Sequence, residues 1–344
     1  MEHRTAASRP AGTRLAVFGV LGLALALALG VTARLAHTST IPNLGLPTSN
    51  SKNLPNLSAY EPQVSLTREY LGDLVTMNYA AAYQLLAPSV RGSLSQQQFE
   101  ADRRTDGVLG QPVIWADDQT STRAEYVLAR SDGSNDTRRH RFLLKREDGR
   151  WWIDHETPVD SNLPVASSLS AAMSQYVQQR AGKIWAPSAE LLRQETFQGG
   201  QLLLFSYIEP KPATVLNAER VAVLNYYVNT AGGWQFQGGG ATGLAAGMNL
   251  ADVAMGFTAF GPDQQYTAYY GVIENANTVA LTFEEPNGAP HSENVKSRKT
   301  VLYLNERNPY EPLPFSRPFK SLGAKDLYGN NLRTNPTVLP PAVS

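Results

Sequence analysis

Two histidines and two acids near the middle of the chain carry the residue types for acid–base chemistry. Asp148-Gly149 reads as a two-residue hairpin turn between the strand-like runs 137–147 and 150–156. A turn that short sets Leu144 opposite Ile153, Phe142 opposite His155 and Arg141 opposite Glu156. That register places His140 and His155 on one apolar face. The other face then pairs Arg141 with Glu156 and, diagonally, Lys145 with Asp154. Only histidine titrates near neutral pH without perturbation, so His140 and His155 are the candidate catalytic pair. Asp154 and Glu156, two apart on one strand, have the geometry of paired carboxylates or a cation site. Their expected role is a solvated strand face held by Arg141 and Lys145.

Other motifs carry less. Gly238-Gly239-Gly240-Ala241-Thr242-Gly243 fits G-x-G-x-x-G, but no helix-opening turn of a βαβ unit surrounds it, and a flexible loop is expected. The histidines at 3, 37, 140, 155 and 291 lack metal-ligand spacing, and no G-x-S-x-G elbow occurs, so neither metal nor cofactor is expected. The formal net charge is zero, which gives no support to nucleic-acid binding. There is no cysteine, so any exported domain must hold itself together by packing. The extended stretch Pro309–Pro318, with Tyr310, Phe315 and Phe319, either covers a sheet edge or offers a surface to a partner.

The elements that must position these residues begin after an apolar run. Residues 15–33 carry no charge, follow Arg4, Arg9 and Arg14, and are closed by Arg34. The run is long enough to span a bilayer at roughly 1.5 Å per residue, and the basic residues before it place the N-terminus in the cytoplasm. A cleaved signal ending at Val31-Thr32-Ala33 is the rival reading, with the same domains exported. The expected order is a cytoplasmic tail over 1–14, a transmembrane helix over 15–35 and a flexible stalk over 36–63. A first domain follows over 64–160, then a connecting helix over 161–182, a β-rich domain over 183–335 and a tail over 336–344.

In the first domain, Leu66, Tyr70, Leu74, Met77, Ala81 and Leu85 form one helical stripe that Pro88 stops. Ser95 and Gln98 form a capping box, with Leu94 and Phe99 as its hydrophobic staple. Strands are predicted over 111–117, 122–130, 137–147 and 150–156. Leu169, Met173, Tyr176 and Val177 mark the connecting helix. Further strands are predicted over 202–208, 221–229, 234–237, 266–273, 278–284 and 300–305, with turns at Gly232-Gly233, Asn287-Gly288 and Gly329-Asn330. The 22 prolines and 27 glycines favour many turns between those strands.

The helix Tyr79-Ala80-Ala81-Ala82-Tyr83-Gln84-Leu85-Leu86-Ala87-Pro88, the step through Leu94-Ser95 to Phe99, and the hairpin Asp148-Gly149-Arg150-Trp151-Trp152-Ile153 together resemble the cone-shaped NTF2-like domains. The likeness is to the membrane-tethered accessory forms of bacterial surface proteins. It implies an α+β cone over about 65–158 that is catalytic in some members and not in others. The stretch from Gly271 to Asn330 faintly resembles bacterial surface β-sandwich modules; a second cone is the alternative there. The expected fold class is therefore α+β: one transmembrane helix, an NTF2-like cone and a sandwich-like β domain. The expected function is a single-pass cell-membrane protein whose extracytoplasmic domains, non-catalytic, bind or assemble a protein or cell-envelope partner. Alternatives are an NTF2-like enzyme with a small-molecule pocket in its first domain, and a sensory or regulatory ectodomain.

Overall fold

The structure, a computed structural model, describes residues 55–105, 107–129, 134–159, 162–210, 218–244, 252–296, 299–306 and 319–336. All of these belong to one compact unit, residues 49–344. The apolar run expected to form an anchor lies outside the described residues, as do Tyr310 and Phe315. Among the described residues no helix is long and apolar enough to cross a membrane.

The first half is a helical layer on an antiparallel meander. Helices α1 (Glu61–Val75), α2 (Tyr79–Gln84), α3 (Pro88–Ser93) and α4 (Gln96–Thr105) precede strands β1 (Gly107–Asp118), β2 (Ser121–Ala129), β3 (Asn135–Glu147) and β4 (Arg150–Pro158), ordered β1-β2-β3-β4. The predicted single helix over 66–85 is broken. Met77 adopts a left-handed φ of 58°, Asn78 N–H bonds Asp73 O at 2.7 Å, and Met77 N–H bonds Leu74 O at 3.1 Å. That is a Schellman cap with methionine where glycine is usual. Downstream the capping box forms as expected: Gln98 N–H donates to Ser95 Oγ at 3.2 Å and Ser95 N–H to Gln98 Oε1 at 3.1 Å. Pro62, assigned to the stalk, instead sits in the first turn of α1. Leu71, Phe99, Ala124, Phe142, Leu144 and Ile153 are buried between the helices and one face of the meander.

Helix α5 (Leu169–Arg180), capped by Ser168 Oγ on Ala171 N at 3.1 Å, and a 3-10 turn (Lys183–Ser188) lead into the second half. There β5 (Glu190–Phe197), β6 (Gly200–Pro210), β7 (Ala218–Thr230), β8 (Gly233–Leu244), β9 (Val253–Phe260) and β10 (Tyr266–Ile273) follow one another in antiparallel pairs. Strand β11 (Thr278–Glu284), β12 (Pro290–Asn294) and β14 (Ser321–Asp326) form a separate small sheet, while β13 (Thr300–Glu306) joins β10. Strand β15 (Thr334–Pro336) runs parallel to β9.

The expected fold class is overturned here. The described chain is mainly β, and its second half is built on one large rolled sheet with a small three-stranded sheet packed against it, rather than on two matched sheets of a sandwich. The reason lies in the strand order: from β6 to β10 each strand pairs with the one before, so most of the chain extends one sheet, and only β11, β12 and β14 leave it to form a small sheet of their own. Phe197 on β5 meets Phe260 and Tyr266 at ring distances of 5.8 and 5.0 Å. The sheet thus curls toward closure over Leu202, Leu204, Leu224, Tyr226, Ala268 and Tyr270. Helix α5 covers the outer face of β6–β8 through Tyr176, Val177, Phe205, Tyr207 and Tyr227. The small sheet packs Leu281, Phe283 and Ala324 against Met255, Phe257 and Tyr269.

The glycine run expected to be a loop is part of β8. A Cβ on Gly240 would lie 2.7 Å from Thr258 Cβ and 3.2 Å from Tyr270 Oη, and one on Gly256 2.9 Å from the same hydroxyl. These glycines make room for the Tyr270 ring inside the curl, a packing role with no phosphate chemistry.

Candidate functional site

The hairpin at Asp148-Gly149 forms as predicted, with positive φ at both residues and Leu144 opposite Ile153. Beyond that pair the register slips by one residue between Leu143 and Leu144. His155 now faces Leu143, and Glu156 faces Phe142. One extra residue exchanges which side chains point inward. The expected pair is therefore separated: His140 points into the space under the helices, whereas His155 is exposed on the opposite face. The predicted contacts of Arg141 with Glu156 and of Lys145 with Asp154 give way to Arg141–Asp117 and Lys145–Glu147 ion pairs.

Glu156 takes the inward place. Its Oε1 accepts from Tyr126 Oη at 2.5 Å and lies 2.6 Å from His140 Nδ1; its Oε2 pairs with Arg103 Nη2 at 2.5 Å. Arg103 sits in the last turn of α4, one turn after Phe99, and so reaches the meander. Burial opposes charge on Glu156, but the hydrogen bond from His140, the Arg103 charge and the Tyr126 hydroxyl prevail and bring its pKa to about 2. Burial and the adjacent carboxylate push the Tyr126 phenol far above its ordinary range. Burial likewise raises Tyr70, beside Arg103.

The chemistry follows from those states. Glu156 is ionised at neutral pH and fully engaged, so it accepts hydrogen bonds rather than protons. It fixes the His140 ring with Nδ1–H toward the carboxylate, which leaves Nε2 as the nitrogen able to meet a ligand. Tyr126 and Arg103 escaped the sequence reading because neither has a local motif. The available signal was that a polar residue in mid-strand, or a basic residue one turn after a buried aromatic, must find an inward partner.

A second polar cluster lies on the outer face of the meander. Asp117, fully buried, pairs with Arg123 Nε at 3.1 Å and Arg141 Nε at 2.6 Å, and accepts from Ser121 Oγ and Lys183 N–H. Arg123 Nη2 donates to Gln178 O at 2.6 Å and its Nη1 donates to Gln179 O, while Trp115 Nε1 donates to Ala181 O at 2.8 Å. Arg123 thus caps the C-terminal end of α5, where the helix presents unpaired carbonyls and partial negative charge. Burial lowers the Arg123 guanidinium to about 10 although Asp117 opposes the shift. This cluster joins the meander to α5.

Among the described residues no group of three or more histidine or acidic side chains is placed to hold a metal ion. Phe319, expected on a partner surface, is half-buried against Tyr269 and Phe283 at ring distances of 5.3 and 6.0 Å. There it adjoins Glu285, whose Oε1 lies 2.5 Å from His291 Nε2.

No protein-family model matches this chain, and no curated protein matches it. The chain is similar to the solution structure of a SEC-C motif-containing protein from Rhodopseudomonas palustris, at 16% identity, over 28% of this chain and 77% of that one, with a TM-score of 0.23. A likeness of that size bears on neither fold nor activity.

Proposed function

We propose that this chain is a membrane-tethered, extracytoplasmic binding or assembly module of the cell envelope that performs no catalysis of its own. The observation that carries the non-catalytic part is the closure of the Glu156 cluster. The carboxylate best placed for proton transfer is held ionised by three donors and cannot exchange protons near neutral pH. The apolar run over 15–33 supports the tether, and the helix-on-meander arrangement of residues 61–158 suits the NTF2-like accessory likeness. The test is in-cell crosslinking of the full-length protein, detergent extraction and mass spectrometry. One protein recovered in near-equal amount supports the reading; recovery of the bait alone argues against it.

One observation favours an enzyme instead. The carboxylate at His140 Nδ1 is the arrangement that orients a working imidazole, and the His140 side chain retains 16% exposure. Under that reading, a small-molecule screen finds turnover that His140→Ala abolishes while thermal unfolding is unchanged. Turnover surviving that substitution excludes it.

A further inference from the structure

The basic residues of this chain are mostly neutralised in place. Every described arginine except Arg91, Arg146, Arg150 and Arg180 lies within 4.0 Å of a carboxylate. Arg180 is buried beside Tyr176, Tyr207 and Glu209. The other three gather at the β3–β4 hairpin, on two adjacent tryptophans. Arg150 lies 4.2 Å and Arg91 5.4 Å from the centre of the Trp152 ring. Arg146 lies 6.0 Å from Trp151, which side-chain alternation directs to the other face.

A guanidinium stacked by its face keeps its N–H edge free and held in one plane, the geometry that matches an oxyanion. Arg150 has no partner on its edge among the described residues, and Arg91 is steadied by donating Nη1 to Gln84 Oε1 at 2.7 Å; with no carboxylate of the described residues within 4.0 Å of either, the two form an anion receptor on one ring. The bulge after Ile153 extends it: His155, displaced to this outer face, lines up beyond Trp152, and Lys145 stands directly opposite Trp152. The nearby acids include Glu147, bound to Lys145 at 2.5 Å, exposed Asp148 in the turn, and half-buried Asp154. From Arg150 to His155 the strand runs about 17 Å at roughly 3.3 Å per residue. That is too long for one phosphate group and suits a chain of them. Trp152 is itself half-buried under its arginines, so it has no free apolar face to insert into a bilayer.

We propose that the outer face of the meander around Trp152, Arg91 and Arg150 binds a linear polyanion carrying repeated oxyanions. This deepens the envelope-binding reading and rests on it only for the setting in which such a polymer is met. The test uses the full-length chain in nanodiscs of neutral lipid and fluorescently labelled inorganic polyphosphate, read by anisotropy. Saturable binding is expected, weakened about tenfold or more in the Arg91→Ala/Arg150→Ala double variant. Its salt dependence should be shallower by about one unit of slope per arginine removed. Arg146→Ala, on the other face, binds as the parent does. The single substitution Arg150→Glu repeats the test should the double variant unfold.

Absence of binding, or binding that the arginine substitutions leave intact, overturns the proposal. So does capture only by nanodiscs containing anionic lipid, and so does monophosphate competing as well as polyphosphate per phosphate group. Protein capture by crosslinking is read separately, so failure here and failure of the envelope reading are distinguishable.

Discussion

Removing the carboxylate of Asp117 is the sharpest test of how the two halves hold together. The side chain is fully buried, and its partner Arg123 is 1% exposed. Asp117→Ala leaves Arg123 with the Gln178 and Gln179 carbonyls but without a carboxylate among the described residues. Breaking one side of a buried ion pair costs about 3–5 kcal/mol, because the remaining charge stays desolvated. Loss of the acceptor for the Lys183 amide adds about 1 kcal/mol. The expected loss is about 4–6 kcal/mol, a large part of the roughly 5–15 kcal/mol that holds an ordinary domain folded. Urea unfolding at pH 7, followed by tryptophan fluorescence, measures it through Trp115 and Trp185. Arg138→Ala, which breaks the surface pair with Asp136, should cost less than about 1 kcal/mol in the same assay. In the Asp117→Ala/Arg123→Ala double variant the buried unpaired charge of Arg123 is gone and only the partly exposed Arg141 is left without its carboxylate, so the two losses should fall short of additive. A loss for Asp117→Ala no greater than that for Arg138→Ala would refute the reasoning.

Glu156→Gln should destabilise the protein at pH 7 by about 3 kcal/mol, the value of a folded pKa near 2 against 4.5 unfolded. Because the folded pKa is the lower one, this advantage of Glu over Gln is complete above 4.5 and fades as pH falls toward 2. A gap between parent and variant that stays constant from pH 5 to 2 would contradict the assignment. Met77→Gly should stabilise by about 0.5–1 kcal/mol, since Met77 is 70% exposed and holds a left-handed φ that only glycine adopts without strain; a lowered melting temperature would refute it. Tyr270→Phe removes a buried hydroxyl that has no hydrogen-bond partner among the described residues, so stability should hold or rise by up to about 1 kcal/mol. A loss above 1 kcal/mol would show that this hydroxyl is satisfied.

Features with local causes were legible in the sequence. The capping box at Ser95, the Asp148-Gly149 turn and the strands over 266–273 and 278–284 each depend on neighbours a few residues away, and each is present. The helix break at Met77 was not legible, because methionine ordinarily continues a helix. Strand β9 was missed for a related reason: Ala254, Gly256 and Ala259 dilute the alternation that marks a strand, and at Gly256 a Cβ would meet Thr242 and the Tyr270 ring at 2.9 Å. The single bulge mattered most. Alternation along 150–156 is compatible with either register, and only packing against the helices decides that Glu156 rather than His155 goes in. The shared face expected for the two histidines thus fails at the bulge: the inward imidazole contacts a carboxylate, and the second imidazole lies on the opposite face.

The grip of Arg123 on the last carbonyls of α5 bears on how this protein can be cut. A fragment ending near residue 160 would retain Asp117, Arg123, Arg141 and Trp115 but lose the carbonyl oxygens that receive two of them. The open end would expose a charged, half-satisfied surface and invite aggregation or a loosened meander. A fragment carried through Ser188 keeps the helix end, the Gly182 turn against Asp117 and the Lys183 amide. The natural scissile point for dissecting function therefore lies after the connecting helix and its following turn, not before them.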